Sequence, residues 1–251
     1  MRRFRLVAAA TALFLMAGLA QAATIQVGSA AALGANDSFD WGQLIDIDDN
    51  GTPADPSDDF AVPQNSPVAV VSSLGRNAII SDGPGGQFTG LTEGSDGADH
   101  FSGIFAIGDA VLFTGDPSSD FGPFPDRFTM TFVTLVAGVG TQIQSNSFGP
   151  FTASLEVFSG ATSLGIVSVG GNNDFSESNT APFLGIRSDA ANIDRAVFIL
   201  TSNAEQGLAV NRLFTTDTPF VVNSEVPEPA SLLLLSTGLA GAAIRRRRHR
   251  Q

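Results

Sequence analysis

Phe128-Thr-Met-Thr-Phe-Val-Thr-Leu-Val136 places Phe128, Met130 and Phe132 on one side of an extended chain and Thr129 and Thr131 on the other. A two-residue apolar period is that of a strand with one face buried. Phe151-Thr-Ala-Ser-Leu-Glu-Val-Phe158 repeats the pattern, with Phe151, Ala153, Leu155 and Val157 inward and Thr152, Ser154 and Glu156 outward. Further strand-like runs occupy 24–28, 67–74, 103–107, 110–114, 163–169, 182–187, 195–201 and 208–215, nearly all bounded by Gly, Asn, Asp, Ser or Pro. No sustained helical period separates them. Short strands without helical crossovers predict an all-β fold, an antiparallel two-sheet β-sandwich of jelly-roll-like form.

Phe-Gly-Pro-Phe occurs at 121–124 and again at 148–151, each time ahead of an alternating strand. The echo reads as a turn that feeds a strand under the core, and two copies fall short of a solenoid.

Composition removes whole classes of chemistry. The 251 residues contain no Cys, no Lys and no Tyr, which excludes disulfides, thiolate–metal centres, thiol catalysis and lysine Schiff bases. Charge is segregated: Arg2, Arg3 and Arg5 stand at one end and Arg245–Arg248 and Arg250 at the other, while residues 23–225 carry five arginines against 24 acids, a net −19. Such a surface is a poor partner for nucleic acid.

The basic start is followed by an apolar run from Leu6 to Leu19 and by Ala20-Gln21-Ala22. A basic head, a short apolar run and an A-x-A site predict a signal peptide over residues 1–22, with Ala20 and Ala22 in the shallow pockets of a signal peptidase. The competing reading is an N-terminal anchor, for which the run is short.

At the other end, Val226-Pro-Glu-Pro-Ala230 precedes an apolar run from Leu232 to Ile244 and the arginine cluster. Two prolines around Glu228 hold the chain extended. As a helix the run rises only ~20 Å against a hydrocarbon core of ~30 Å, a short transmembrane helix whose arginines stay cytoplasmic. Motif, Leu232–Leu235, Thr237-Gly238-Leu239 and Arg245–Arg248 together closely resemble the PEP-CTERM sorting signal of Gram-negative bacteria. The resemblance implies recognition at Pro227, Glu228 and Pro229 by an exosortase, an inner-membrane cysteine protease or transpeptidase, so this is a site at which the chain is acted upon. It also implies passage through the inner membrane, then residence at the cell surface or in an extracellular, exopolysaccharide-containing matrix. The alternative is a plain C-terminal anchor. The expected organisation is a signal peptide (1–22), a β-sandwich (23–225) and a sorting tail (226–251). The stretch from about 103 to 200 more loosely resembles the bodies of such proteins.

Within the body, Asp46, Asp48 and Asn50, followed by Gly51, put oxygen ligands at alternate positions, as the start of a calcium loop does. Pro53 and Pro56 forbid the usual exiting helix, which leaves Asp55, Asp58 or Asp59 to close a looser calcium shell. The alternative is a solvated acidic loop. A second Gly- and Asp-rich stretch, 81–100, holds Asp82, Glu93, Asp96 and Asp99 without alternation. Phosphate-loop, dinucleotide and nucleophile-elbow motifs are absent. His100 is the single histidine before the tail, too few for a two-histidine zinc site. Trp41, beside Asp40 and Gln43, is the candidate platform for a sugar ring, with burial in the core as its alternative. These residues predict a non-enzymatic exported surface or matrix protein; the alternative is a secreted glycan-active enzyme with the same tail, since 24 acids offer many carboxylate pairs.

Overall fold

The computed structural model describes residues 22–45, 63–82, 86–94, 100–114 and 124–221. The chain divides into two units, Met1–Phe220 and Val221–Gln251, and of the second only Val221 lies among the described residues.

Strands are numbered β1 to β16 in chain order. The six-stranded sheet runs, in space, β12 (Thr162–Asn173), β11 (Gly149–Ser159), β14 (Ile193–Ser202), β9 (Arg127–Val136), β5 (Asn77–Ser81) and β4 (Val68–Val71). The ten-stranded sheet follows the path β1 (Thr24–Val27), β13 (Phe183–Ser188), β10 (Gly138–Ser145), β15 (Leu208–Val210), β8 (Ala110–Phe113), β6 (Gln87–Glu93) and β3 (Gln64–Asn65). Off that path, β16 (Leu213–Thr216) joins β10 to β2 (Asp37–Phe39), and β7 (His100–Phe101) lies beside β6. Pairings are antiparallel apart from the two-residue β6–β7 ladder, which is parallel. The two sheets enclose one apolar core, so the β-sandwich predicted from alternation is the fold.

The alternation in β9 acts as expected: Phe128, Met130 and Phe132 are buried, while Arg127 and Thr131 face water. Phe128 stands opposite Phe198 of β14, and their rings stack at 4.8 Å. Such a cross-strand aromatic pair fixes register as well as burying area. On one flank the sheets are closed by side chains of β1. Thr24 Oγ1 donates to the Leu164 carbonyl (3.3 Å) and Gln26 Nε2 to that of Ser168 (3.0 Å), which occupies outward-facing acceptors of edge strand β12.

Three expectations change. Residues 103–107 form a turn, buried from Gly103 to Phe105 and exposed at Ile107, whose one β-bridge among the described residues joins Ala106 to Ser178. Consecutive Ile104 and Phe105 are both buried, which a strand with one wet face forbids. The Ile104 N–H donates to Gln144 Oε1, and the two carbonyls accept from the backbone N–H groups of Asn179, Thr180 and Ala181. The stretch 208–215 is two strands, broken at Asn211–Arg212, whose carbonyls accept from the Thr141 hydroxyl at 3.0 and 3.1 Å. The acidic stretch 81–100 contains β6, buried at Phe88, Leu91 and Glu93. β10 was not legible: Gly138-Val-Gly-Thr-Gln-Ile-Gln-Ser145 is buried on both faces yet carries polar residues, so neither an apolar run nor an alternation marks it. A Cβ at Gly140 would lie 2.7 Å from the Phe183 ring, so that strand needs glycine to admit its neighbour.

Candidate functional site

The tail residues Pro227, Glu228 and Pro229 lie outside the described residues, as do Ala20 and the acidic-loop residues Asp46, Asp48, Asn50, Asp55, Asp58 and Asp59. Among the described residues no group of three or more His, Asp or Glu is placed to hold a metal ion. Of His100 the backbone pairing alone is described, opposite Thr92. Ala22 is half-buried against the core, at the rim of an open cavity of 510 Å³ shared with Ser159, Thr162, Asp189 and Asn192.

Trp41 is a core residue and no sugar platform. Its side chain is fully buried, and its indole Nε1 donates to the Asn211 carbonyl at 2.6 Å, so the polar edge is satisfied inside the protein. Its two neighbours serve the scaffold as well. Asp40 caps the 3-10 turn Trp41–Leu44 through Gly42 N (2.9 Å) and pairs with Arg212, and Gln43 bonds the backbone of β4.

The structure instead exposes a different aromatic pair. Phe148, in the turn between β10 and β11, is 69% exposed, and Phe175, just after β12, is 41% exposed. Their ring centroids are 5.9 Å apart with planes tilted by 45°. The packing role expected of the two Phe-Gly-Pro-Phe copies holds for Phe124 and Phe151 but not for Phe148. Phe124 of the first copy packs edge-on against Phe113 at 5.6 Å, and Phe151 of the second is buried, but Phe148 points to water. No local signal marks the pair: Phe148 shares its four-residue motif with the buried Phe151, and the Asn172-Asn173 ahead of Phe175 are the last residues of strand β12.

Both loops are held from beneath. Asn173, fully buried, donates through Nδ2 to the Ser145 carbonyl (2.9 Å) and accepts at Oδ1 from Phe175 N–H (3.0 Å). Asn203 Nδ2 donates to the Phe148 carbonyl at 3.2 Å. The loop after Phe175 is pinned to the buried turn by Glu177 N–H to Gly103 O (2.9 Å) and Thr180 N–H to Ile104 O (2.9 Å).

That turn hangs in its turn on a buried acid. Glu93 is fully buried and accepts from Gly103 N–H at 2.7 Å through Oε1, while its Oε2 and the buried Gln144 Nε2 have no hydrogen-bond partner. Burial pushes the Glu93 carboxyl up to about 7; the Gly103 N–H opposes the rise, and the charges of Glu177 and Asp109 add to it. A carboxyl closed off from solvent is out of reach of a substrate in this conformation.

Residues 225–248 match the family model described as the PEP-CTERM protein-sorting motif. Comparison with curated proteins gives no match. Among solved structures, the chain is similar to CsCBM6-3 from Clostridium stercorarium in complex with cellobiose, at 14% identity and a TM-score of 0.26, over 46% of this chain and 81% of that one.

Proposed function

We propose that this chain, which carries a PEP-CTERM protein-sorting motif, is a non-enzymatic surface or extracellular-matrix protein, cleaved by signal peptidase, processed by an exosortase and associated with exopolysaccharide outside the cell. The observation that carries the reading is the motif match over residues 225–248, since a motif of this kind implies export and exosortase processing. Its parts have separable physical roles. Pro227 and Pro229 keep the segment extended and unable to join a helix, which presents the Glu228 carboxylate between them. The short apolar run beyond them holds the segment at the membrane face, and the terminal arginines keep the end from following the body across.

A non-enzymatic body is supported by composition, since the chain has no Cys or Lys nucleophile and a single histidine before the tail to serve as base for a hydroxyl. The described acid with the largest upward shift, Glu93, sits in the interior and serves the scaffold there.

The test is the mass of the C-terminal peptide, from protein recovered outside native cells. A chain ending near Val226–Ala230 supports a processed sorting signal, and a chain ending at Gln251 makes the segment a permanent anchor. Changing Pro227, Glu228 and Pro229 together should leave export intact and block tail removal; unchanged processing would refute their role. Release of reducing sugar from polysaccharide would move the body to the enzymatic reading.

A further inference from the structure

We propose that Phe148 and Phe175 form a binding platform for the pyranose rings of an uncharged polysaccharide. The core does not explain either ring. Leaving a large aromatic side chain in water forgoes part of the gain of burying it, and here two such rings stand together at 69% and 41% exposure.

Backbone geometry points the same way. Phe175 has φ 55°, in the left-handed region that a bulky aromatic residue seldom adopts. The strain is borne by an exposed residue and brings its ring to 5.9 Å from Phe148. Asn173 and Asn203, one under each loop, hold the backbones of Phe175 and Phe148 in place before any ligand arrives, which lowers the ordering cost of binding.

The rim selects the ligand. Asp174, Ser176 and Ser178 are exposed in the segment that carries Phe175. Asp174 supplies a carboxylate whose Oδ1 also accepts from Ser176 N–H at 3.2 Å, and the Ser176 and Ser178 hydroxyls pair with each other at 2.6 Å, leaving each further hydrogen-bonding capacity. Neither loop contains an arginine, so an anionic polymer meets only repulsion there. What remains is a ligand with an apolar flat C–H face for the rings and hydroxyls for the rim, which is a neutral sugar. Two planes inclined by 45° suit successive sugars of a twisting chain, whereas one flat ligand calls for coplanar rings. The choice of a polymer rests on the exopolysaccharide association proposed above; the platform itself does not.

Affinity electrophoresis of the full exported protein through gels containing cellulose derivative, dextran or galactomannan, with alginate as the anionic control, tests the proposal. Retardation by at least one neutral polymer is expected, weakened about tenfold in Phe148→Ala and in Phe175→Ala. Phe175→Gly relieves the left-handed strain, so it should fold at least as stably as Phe175→Ala while binding equally poorly. No retardation by any neutral polymer, retardation unchanged in the variants, or preference for alginate would each overturn the proposal. So would a dimer that Phe148→Ala dissociates, because the occupant would then be a second copy of the chain. The C-terminal mass of the same samples is read separately. A processed tail without polymer binding removes the platform alone, and pair-dependent binding with an intact tail removes the sorting reading alone.

Discussion

The Gln43 side-chain amide pairs with both backbone groups of Val71: its Oε1 accepts from Val71 N–H at 2.8 Å and its Nε2 donates to Val71 C=O at 3.1 Å. One side chain thereby imitates a neighbouring strand at the edge of β4. Unpaired edge groups invite another chain, so the amide both stabilises and shields. Gln43→Ala should cost about 1–2 kcal/mol in urea unfolding and raise light scattering on concentration. Unchanged stability together with unchanged scattering would show that water serves the edge as well.

Asp37 is the second such anchor. Its side chain is fully buried and accepts from the hydroxyls of Ser72 (2.7 Å) and Ser73 (2.9 Å) and from Leu74 N–H (3.1 Å), with Arg76 Nε at 3.6 Å. Burial alone would raise this carboxyl, but those bonds and the Ser38 N–H outweigh it and hold it below 3.8. Stability from Asp37 is therefore present above its ordinary pKa of 3.8 and lost as pH falls through the lowered value. Asp37→Ala removes the acceptor of the Ser72 and Ser73 hydroxyls and of the Ser38 and Leu74 N–H groups, while Arg76 keeps Asp217, so a loss of about 3 kcal/mol is expected near neutral pH, shrinking in strong acid.

Glu93 works in the opposite sense. Its ordinary pKa of 4.5 is raised to about 7 on folding, so between those values the folded protein keeps a proton that the unfolded chain releases. The stability supplied by the neutral acid is complete below about pH 4.5, declines by at most ~1.4 kcal/mol per pH unit, and is gone above about 7. Melting temperature should fall from about pH 5 to about pH 8 in the native protein. In Glu93→Gln, which keeps an acceptor for Gly103 N–H and carries no charge, that slope should flatten; an equal slope would place the titration elsewhere.

The segment from Asp46 to Asp59 holds six carboxylates in fourteen residues. Alternate oxygen ligands predict a higher melting temperature in calcium than in chelator, because a ligand of the native state must stabilise it. Changing Asp46 and Asp48 to Asn should abolish the difference. An equal midpoint in both buffers assigns the segment to solvation.

What could be read from sequence followed physical one-sidedness. β9 and β11 announce themselves because one face of each meets the core and the other does not. β10 is a strand of the ten-stranded sheet covered on both faces, where Gly138 and Gly140 give clearance and Thr141 and Gln144 make buried hydrogen bonds, so its letters follow no period. Trp41 hides its reason for burial in a carbonyl at Asn211, far along the chain. Phe148 and Phe151 share one short motif yet face opposite ways, and no local rule separates them; the partner ring of Phe148 arrives from beyond β12.

The topology also sets an order of events for a chain that crosses a membrane thread-like. β1, the first body segment to emerge, has its ladder partner in β13, with Thr24 opposite Ser188, and β2 waits for β16, with Asp37 opposite Thr215. Apart from the Phe39–Ser72 bridge, neither early strand has its ladder partner until residues 183–188 and 213–216 have followed. For a chain exported as proposed, the sheet would therefore be completed only by its last strand, Leu213–Thr216, so a finished fold would oppose backward sliding just before the Pro-Glu-Pro segment follows.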